Sequence, residues 1–173
     1  MTNSAAQRMP RKPRTDGQRS RRTILDAAAK LATIETASEI FSADVVAPAE
    51  QAPTPLAKIE ALCERFLSHV ERRVFPGGCF FASAAAEFDT HPGAVKERIA
   101  DFQRDWTDLL VQLVREAQAA GELRNEDPHQ LAFELNGYLL MANTAFLLHS
   151  NAQAITRARN AVAARLALSR TST

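Results

Sequence analysis

The residue types that most often carry catalysis and metal binding are present in this sequence, but they are scattered. His69, His91, His129 and His149 form no H-x-x-x-H pair, and no acidic residues accompany them at metal-ligand spacing. Ser83 lies in an alanine-rich run without the G-x-S-x-G turn that presents a nucleophile in hydrolases. We therefore expect no catalytic residues, no metal, no cofactor and no enzyme activity.

The cysteines and the apolar segments indicate the compartment. Cys63 and Cys79 have neither metal nor redox spacing, so we expect reduced, buried thiols. The basic N-terminus lacks the apolar core of a signal peptide. The longest apolar run, residues 135–148, contains Asn136 and Asn143 and is shorter than the roughly 20 apolar residues of a membrane span. These features predict a cytoplasmic protein with no membrane partner.

Basic residues concentrate at the N-terminus, although the whole chain has a net charge of only +1. Residues 1–30 hold eight Lys or Arg and two Asp, whereas the remainder holds 13 basic and 18 acidic residues. This distribution favours contact with a polyanion at the N-terminus, and a disordered, solubilising tail is the alternative. Such a cluster binds DNA phosphates without reading the base sequence. The candidate DNA-binding residues are Arg11, Lys12, Arg14, Arg19, Arg21 and Arg22.

Large apolar side chains on separate predicted helices could line a cavity for a small apolar ligand. Asn143 is the strongest polar candidate, because a buried amide needs a hydrogen-bond partner, and Asn136 and Thr144 are further possible orienting groups. A packed core without a cavity remains the alternative for each residue. The candidate ligand-binding residues are Phe66, Phe80, Phe81, Trp106, Tyr138, Met141, Asn143 and Phe146.

The elements that must position these residues are all predicted to be helices. Residues 17–43 form one amphipathic helix, and no Gly or Pro within 18–47 marks a turn. Pro48, Pro53 and Pro55 predict a loop over 44–55. Further helices are expected over 55–74, 79–88, 92–120, 128–149 and 152–168, with no strand. The fold class is therefore all-α, a helical bundle.

The helix over 128–149 is apolar on most of its faces and must be covered on both sides. In a body this small, one side can face the core and the other a second copy of the chain, with the last helix beside it. The alternative is the central helix of a monomer. The predicted residues of the homodimer interface are Leu139, Leu140, Phe146, Leu147, Ile155 and Val162.

Two adjoining segments carry a resemblance to a known family. The run RRTILDAAAKLA (21–32) resembles the first helix of TetR/AcrR-type bacterial regulators, and LATIETASEIF (31–41) resembles the start of their fourth helix. Residues 42–168, including PGGCFFA at 76–82, resemble the helical body of the same family. The family's helix-turn-helix lies between the first two segments, which here overlap. The resemblance thus implies an internal deletion of the second and third helices.

The resemblance also implies a domain organisation and a function. Residues 1–15 are a flexible basic arm, 16–43 the remnant of the DNA-binding head fused to the linking helix, and 44–173 the ligand-binding and dimerisation domain. The implied function is a ligand-responsive repressor, homodimeric through its last two helices, with DNA reading impaired. The alternative is a ligand-binding and dimerisation module that binds no operator DNA and pairs with an intact relative.

Overall fold

The computed structural model describes residues 15–171, with side chains from Arg21 onward, and this part of the chain is helical without a strand. All six predicted helices are present. A π-helical turn, Ser42–Val46, follows the first helix. The helices are α1 (Thr15–Phe41), α2 (Ala47–Glu50), α3 (Pro55–Glu71), α4 (Phe80–Phe88), α5 (Ala94–Ala119), α6 (Pro128–Leu148) and α7 (Gln153–Ser169).

The helical path continues past Phe41, where the sequence predicts a loop over residues 44–55. Pro48 has no N–H and its ring would crowd the carbonyl four residues earlier in a regular α-helix. The chain accommodates it with the π-helical turn, in which the Ala47 N–H donates to Ser42 O, and Pro48 then occupies the first turn of α2. The prediction of a loop was therefore wrong for residues 44–50.

Only the second half of α1 packs against the body. Ile34, Ala37 and Phe41 are buried at helical spacing, whereas Ile24 and Leu25 in the first half remain 67% and 59% exposed. The apolar stripe predicted along the whole helix is thus covered over one half only. A long basic half-helix therefore projects from the bundle.

Within the body, α6 packs against α3, α5 and α7. Two helices begin as their sequences predict. The Thr54 hydroxyl accepts the Ala57 N–H at 3.2 Å before Pro55, and the Asp127 carboxylate accepts the His129 N–H at 2.9 Å. These caps fix where α3 and α6 enter the core.

α6 is long and apolar enough, by length and composition alone, to cross a membrane, which differs from the expectation drawn from residues 135–148. One side of this helix packs in the core of the bundle. Leu131, Leu135 and Leu139 are completely buried, and Glu134 forms an ion pair with Arg165 of α7. Its remaining exposed apolar positions form the surface described below.

A charged cluster joins α7 to α6 and to the segment before it. The Arg165 guanidinium lies 2.8 Å from the Glu126 carboxylate and also bonds Glu134 and the Ser169 hydroxyl. The hydrogen bond from Arg165 holds the pKa of Glu126 below its ordinary value, and hydrogen bonds from Gln130 and Arg165 do the same for Glu134. A lowered carboxyl pKa stabilises the folded chain above the ordinary pKa and loses that effect as pH falls.

We therefore expect Arg165→Met to reduce the free energy of unfolding by about 2 kcal/mol at pH 7. The difference from wild type should shrink as pH falls below the ordinary glutamate pKa, because both carboxylates become protonated. Urea unfolding at pH 7, 5 and 4 measures this. Arg104→Met is the matched control, since Arg104 is 66% exposed and its ion pair is with Asp101 on its own helix. Equal losses at every pH would contradict the prediction.

Candidate ligand cavity

A cavity of about 180 Å³ lies inside the bundle, between α1, α3, α4, α5 and α6. Its wall is mostly aromatic, and it opens beside Gln103, whose side chain is exposed. None of the described residues that line it carries a charge. The lining residues are Phe41, Phe66, Cys79, Phe81, Ala82, Phe102, Gln103, Trp106, Thr107, Asn136 and Leu140.

Phe41, near the end of α1, lies at the centre of the aromatic wall. Its ring centroid is 5.2 Å from Phe102, 5.5 Å from Trp106 and 6.2 Å from Phe66, and each pair meets edge to face. Edge-to-face contacts of this kind are the preferred aromatic geometry. Phe81 completes the wall by stacking on Phe102. One ring of α1 therefore contacts the helices that surround the cavity.

Three uncharged polar side chains, those of Gln103, Thr107 and Asn136, face the cavity. The Trp106 Nε1–H donates to Asn136 Oδ1 at 3.2 Å, and the Thr107 hydroxyl donates to the Gln103 backbone carbonyl at 2.9 Å. Because an indole N–H can only donate, this bond orients the Asn136 carbonyl toward Trp106 and turns the amide NH₂ elsewhere. A few placed polar groups in an apolar wall are typical of small-molecule sites.

The π-helical turn next to Phe41 is held by a buried histidine. His69 is completely buried, and its Nδ1 lies 2.6 Å from the Asp44 carboxylate, which also accepts hydrogen bonds from Arg72. Burial by itself raises the pKa of Asp44, but the hydrogen bonds from Arg72 and His69 outweigh it and hold the pKa below its ordinary value. This arrangement ties α3 to the segment that joins α1 to the body.

The structure brings three of the eight predicted ligand residues together in the cavity: Phe66, Phe81 and Trp106. Phe80 faces a different groove, between α1, α4 and α5. Tyr138 and Met141 line a surface groove between α6 and α7. The other two, Phe146 and Asn143, have packing roles outside the cavity.

Phe146 lies under the Arg73 guanidinium, 5.2 Å from its ring centroid, and packs on the core. Asn143 is 4% exposed, and its Oδ1 accepts the backbone N–H of Cys79 at 2.9 Å. The Asn143 amide thus has the partner that its burial requires, but that partner is the backbone at the start of α4 rather than a ligand.

Gly78 is required at the turn that Asn143 holds. Its φ is +71°, and a Cβ there would collide with Asn143 Oδ1 and Leu147 Cδ1. This explains the glycine in the Pro-Gly-Gly turn before α4, because any side chain would push α4 and α6 apart. The same turn places Cys79 and Phe81 on the cavity wall.

We expect Gly78→Ala to lower the free energy of unfolding by about 2–4 kcal/mol, from positive-φ strain and overpacking together. Gly121→Ala is the matched control, since Gly121 has a φ of +73° but open space around it. It should cost about 1 kcal/mol. Gly77→Ala, whose Cβ would meet only Ser83 Oγ at 3.4 Å, should be nearly neutral. Urea unfolding measures all three, and equal losses for Gly78→Ala and Gly121→Ala would refute the collision.

Three of the cavity residues that sequence reasoning missed lie on α5. Phe102, Gln103 and Thr107 accompany Trp106 on one face of that helix, at spacings of three and four residues. That periodicity was available in the sequence, whereas the contribution of Phe41 depends on how α1 meets the body. Cys79 and Cys63 are free and buried as expected. Burial raises the pKa of both thiols, that of Cys63 to about 12.

Of the six predicted interface residues, three are buried in the core and three, Leu140, Phe146 and Leu147, are half-buried. Leu139, Ile155 and Val162 are buried within the single chain and are therefore unavailable to a second copy. Leu140 lines the cavity, and Leu147 is half-buried against Gly78. The proposed interface therefore moves to other positions of the same helices.

The exposed side of α6 and α7 carries a mostly apolar surface, although Arg157 and Asn151 also line the groove between the two helices. We call it the α6–α7 face and define it by four large side chains and the groove between the helices. The groove, of about 250 Å³, includes Tyr138, Ala145 and Ala161. The large apolar side chains, each between 67% and 74% exposed, are Phe133, Met141, Leu148 and Leu168.

The predicted DNA-binding residues lie at or before the projecting half of α1. Arg11, Lys12 and Arg14 lie outside the described residues, and the backbone of Arg19 lies in α1. Arg21 and Arg22 are exposed on the same helix. α1 runs without interruption from Thr15 to Phe41, so the described chain contains no turn and second short helix at this point.

Comparisons with known proteins agree with this architecture. The family model described as the tetracyclin repressor-like C-terminal domain matches residues 55–162, more than half of the chain. No curated protein matches the chain in sequence.

Two crystal structures share the fold. A TetR transcriptional regulator from Chloroflexus aurantiacus J-10-fl is 23% identical with a TM-score of 0.72, and the match covers 86% of this chain and 73% of that one. AibR, in complex with isovaleryl coenzyme A and operator DNA, is 15% identical with a TM-score of 0.62, covering 82% and 72%. The predicted all-α, TetR-like bundle is therefore confirmed.

The matched proteins are transcriptional regulators rather than enzymes, in agreement with the sequence analysis. The segment that the family model matches runs from the start of α3 into α7 and contains every cavity-lining residue except Phe41. The chain therefore belongs to the TetR family of transcriptional regulators, and residues 55–162 match the C-terminal domain of that family.

Proposed function

We propose that the chain is a ligand-responsive regulator that binds a small apolar molecule in the cavity and whose operator reading is impaired. The observation that carries this proposal is the position of Phe41. This ring belongs to α1, which bears the basic residues, and it also forms the centre of the cavity wall. A ligand that displaces Phe41 therefore acts directly on the helix that leads to DNA.

The impairment of DNA reading is inferred from the continuity of α1. Base-edge readout needs an element that enters a groove, and a helix-turn-helix supplies a separate recognition helix after a sharp turn. Within residues 15–41 the chain is one helix, and its exposed Arg21 and Arg22 suit phosphate contacts. We therefore expect the chain to bind DNA only weakly and independently of base sequence. Its proposed location is the cytoplasm.

Dimerisation through the α6–α7 face is the second part of the proposal. An exposed apolar patch of this kind marks an interaction site. A two-fold axis would pair the face with itself, as in most homodimers. The result is a four-helix arrangement of two α6 and two α7 helices.

AibR was solved with isovaleryl coenzyme A and operator DNA, so this fold can serve both a ligand and DNA. Coenzyme A carries phosphates, and no described residue that lines the present cavity is a cation. We therefore propose a different, phosphate-free ligand for this chain.

An alternative function follows from the contrast between the two halves of the chain. The proposed dimer surface, the α6–α7 face, is present, whereas α1 is not followed by a separate recognition helix among the described residues. A dimer with an intact relative would then hold one recognition helix instead of two. Co-expression with a tagged intact relative discriminates the two functions: recovery of mixed dimers supports the alternative, and homodimers alone support the main proposal.

Ligand binding is tested by thermal unfolding with a panel of anionic, cationic and neutral molecules of up to about 15 heavy atoms. A ligand that binds the folded state alone raises the melting temperature saturably. At least one member should do so. Ala82→Leu, which fills the cavity, should abolish the shift, whereas Ala161→Leu in the α6–α7 groove should not. No shift across the panel, or a shift that survives Ala82→Leu, would contradict the proposal.

A further inference from the structure

The cavity itself restricts the class of ligand. We infer that it binds an uncharged, flat aromatic molecule of one or two rings that carries a hydrogen-bond acceptor such as a carbonyl. This inference deepens the proposed function and rests on it. Four properties of the cavity lead to it: its volume, its wall, its lack of charge and the orientation of Asn136.

The volume limits the ligand to a small molecule. Pockets for drug-sized ligands begin at about 300 Å³, whereas an apolar cavity of roughly 150 Å³ in another protein binds benzene. The present cavity, of about 180 Å³, lies just above the second value. It therefore accommodates one aromatic ring with a short substituent, or two fused rings.

The wall favours a flat ring over a branched aliphatic chain. Phe41, Phe66 and Trp106 contribute ring edges and faces, and Phe81 stacked on Phe102 adds a flat pair in contact with Phe41. An aromatic ligand can continue these stacked and edge-to-face contacts, each of which adds to simple apolar burial. An aliphatic ligand of the same volume obtains only the burial.

The absence of charge among the described lining residues excludes ionised ligands. A carboxylate or ammonium group transferred into an apolar wall without a counter-charge loses its hydration and gains no ion pair. Gln103, Thr107 and Asn136 offer only neutral hydrogen bonds. Such a site therefore selects neutral molecules over charged molecules of the same shape.

The orientation of Asn136 defines the polar group of the ligand. Its Oδ1 accepts from the Trp106 indole, so its NH₂ group is available to donate, and no described group accepts from it. The Thr107 proton is already used on the Gln103 carbonyl. The Asn136 NH₂ group beside the aromatic wall therefore matches an acceptor on the ligand.

The test uses four probes of nearly equal size: acetophenone, cyclohexyl methyl ketone, benzoate and benzylamine, each titrated calorimetrically into the full chain at pH 7. Acetophenone should bind most tightly. Benzoate and benzylamine should bind at least about 100-fold more weakly, because their charges remain unpaired. The cyclohexyl ketone should bind about 3- to 10-fold more weakly, because it lacks aromatic contacts.

Asn136→Asp provides a sharper readout. The carboxylate still accepts from Trp106, so the wall is preserved, but it cannot donate to a carbonyl. Acetophenone should therefore bind more weakly to this variant, whereas benzylamine should bind more tightly than to wild type. Gln112→Glu, on the outer face of α5 where Gln112 bonds Glu116, is the matched control for added charge and should leave both affinities unchanged.

The outcomes separate the ligand class from the proposed function. Tighter binding of benzoate, benzylamine or the cyclohexyl ketone than of acetophenone would overturn the ligand class while leaving a ligand-binding cavity. Unchanged selectivity in Asn136→Asp would overturn the role of Asn136. If none of the four probes binds while the broader panel raises the melting temperature through the cavity, the ligand class is wrong. If the panel also fails, the proposed function itself is wrong.

Discussion

The protein is expected to bind a palindromic candidate operator and a scrambled duplex of the same length with affinities that agree within about tenfold. Intact readers prefer their site by about 10³-fold or more. The difference arises because α1 is one helix from Thr15 to Phe41 and offers phosphate contacts in place of a recognition helix. Dissociation constants on the order of 10⁻⁴–10⁻⁶ M at physiological salt are expected for both duplexes.

Salt dependence and a triple variant identify the contacts. Replacing Arg19, Arg21 and Arg22 by Ala should weaken binding to both duplexes equally. It should also reduce the slope of log affinity against log salt by about 3, one for each lost phosphate contact. Fluorescence anisotropy at 50 and 200 mM salt measures both quantities.

A charge-matched control replaces Arg65, Arg104 and Arg115 by Ala. These three residues are exposed on α3 and α5 rather than on α1. Both triple variants lose three positive charges and therefore have the same net charge. Its DNA binding should remain close to wild type. A preference for the palindrome above about 10³-fold, the lower limit for specific binding, would show that the chain contains a sequence reader.

Met141→Arg should convert the dimer into a monomer and raise the dimer dissociation constant by about 10³-fold or more. Met141 is 67% exposed near the middle of the α6–α7 face. In a two-fold interface each substitution occurs twice, so two charges lose water without gaining partners. Light scattering at about 10 µM should give twice the mass of one chain for wild type and the mass of one chain for the variant.

Ile24→Arg is the matched control, because Ile24 is also 67% exposed and apolar but lies on the projecting half of α1. The Ile24→Arg variant should remain dimeric. Both Met141→Arg and Ile24→Arg should still fold, with a cooperative thermal unfolding transition. A wild-type chain that is monomeric at this concentration would exclude the α6–α7 face as a dimer interface. A monomeric Ile24→Arg would place the contact on α1 instead.

The sequence by itself determined the helices, because helix formation depends on local features. The apolar repeat over α5, the Thr54-Pro55 and Asp127-Pro128 starts and the Pro-Gly-Gly turn predict bounds within a few residues of those observed. The lack of Gly and Pro in 18–47 likewise predicted one continuous helix. The exception was Pro48, whose effect depended on a π-helical turn that no local pattern announces.

Only the tertiary structure decided which apolar residues form the core, the cavity or the surface. α6 is apolar nearly all round, so its periodicity cannot tell Leu139, which is completely buried, from Met141, which faces outward. The role of Asn143 was likewise undetermined, because a buried amide can bind a ligand or a backbone N–H. The start of α4, which lies 64 residues away in sequence, supplies that N–H. These assignments depend on contacts between distant segments, and the packing of α3, α5 and α7 against α6 determines most of them.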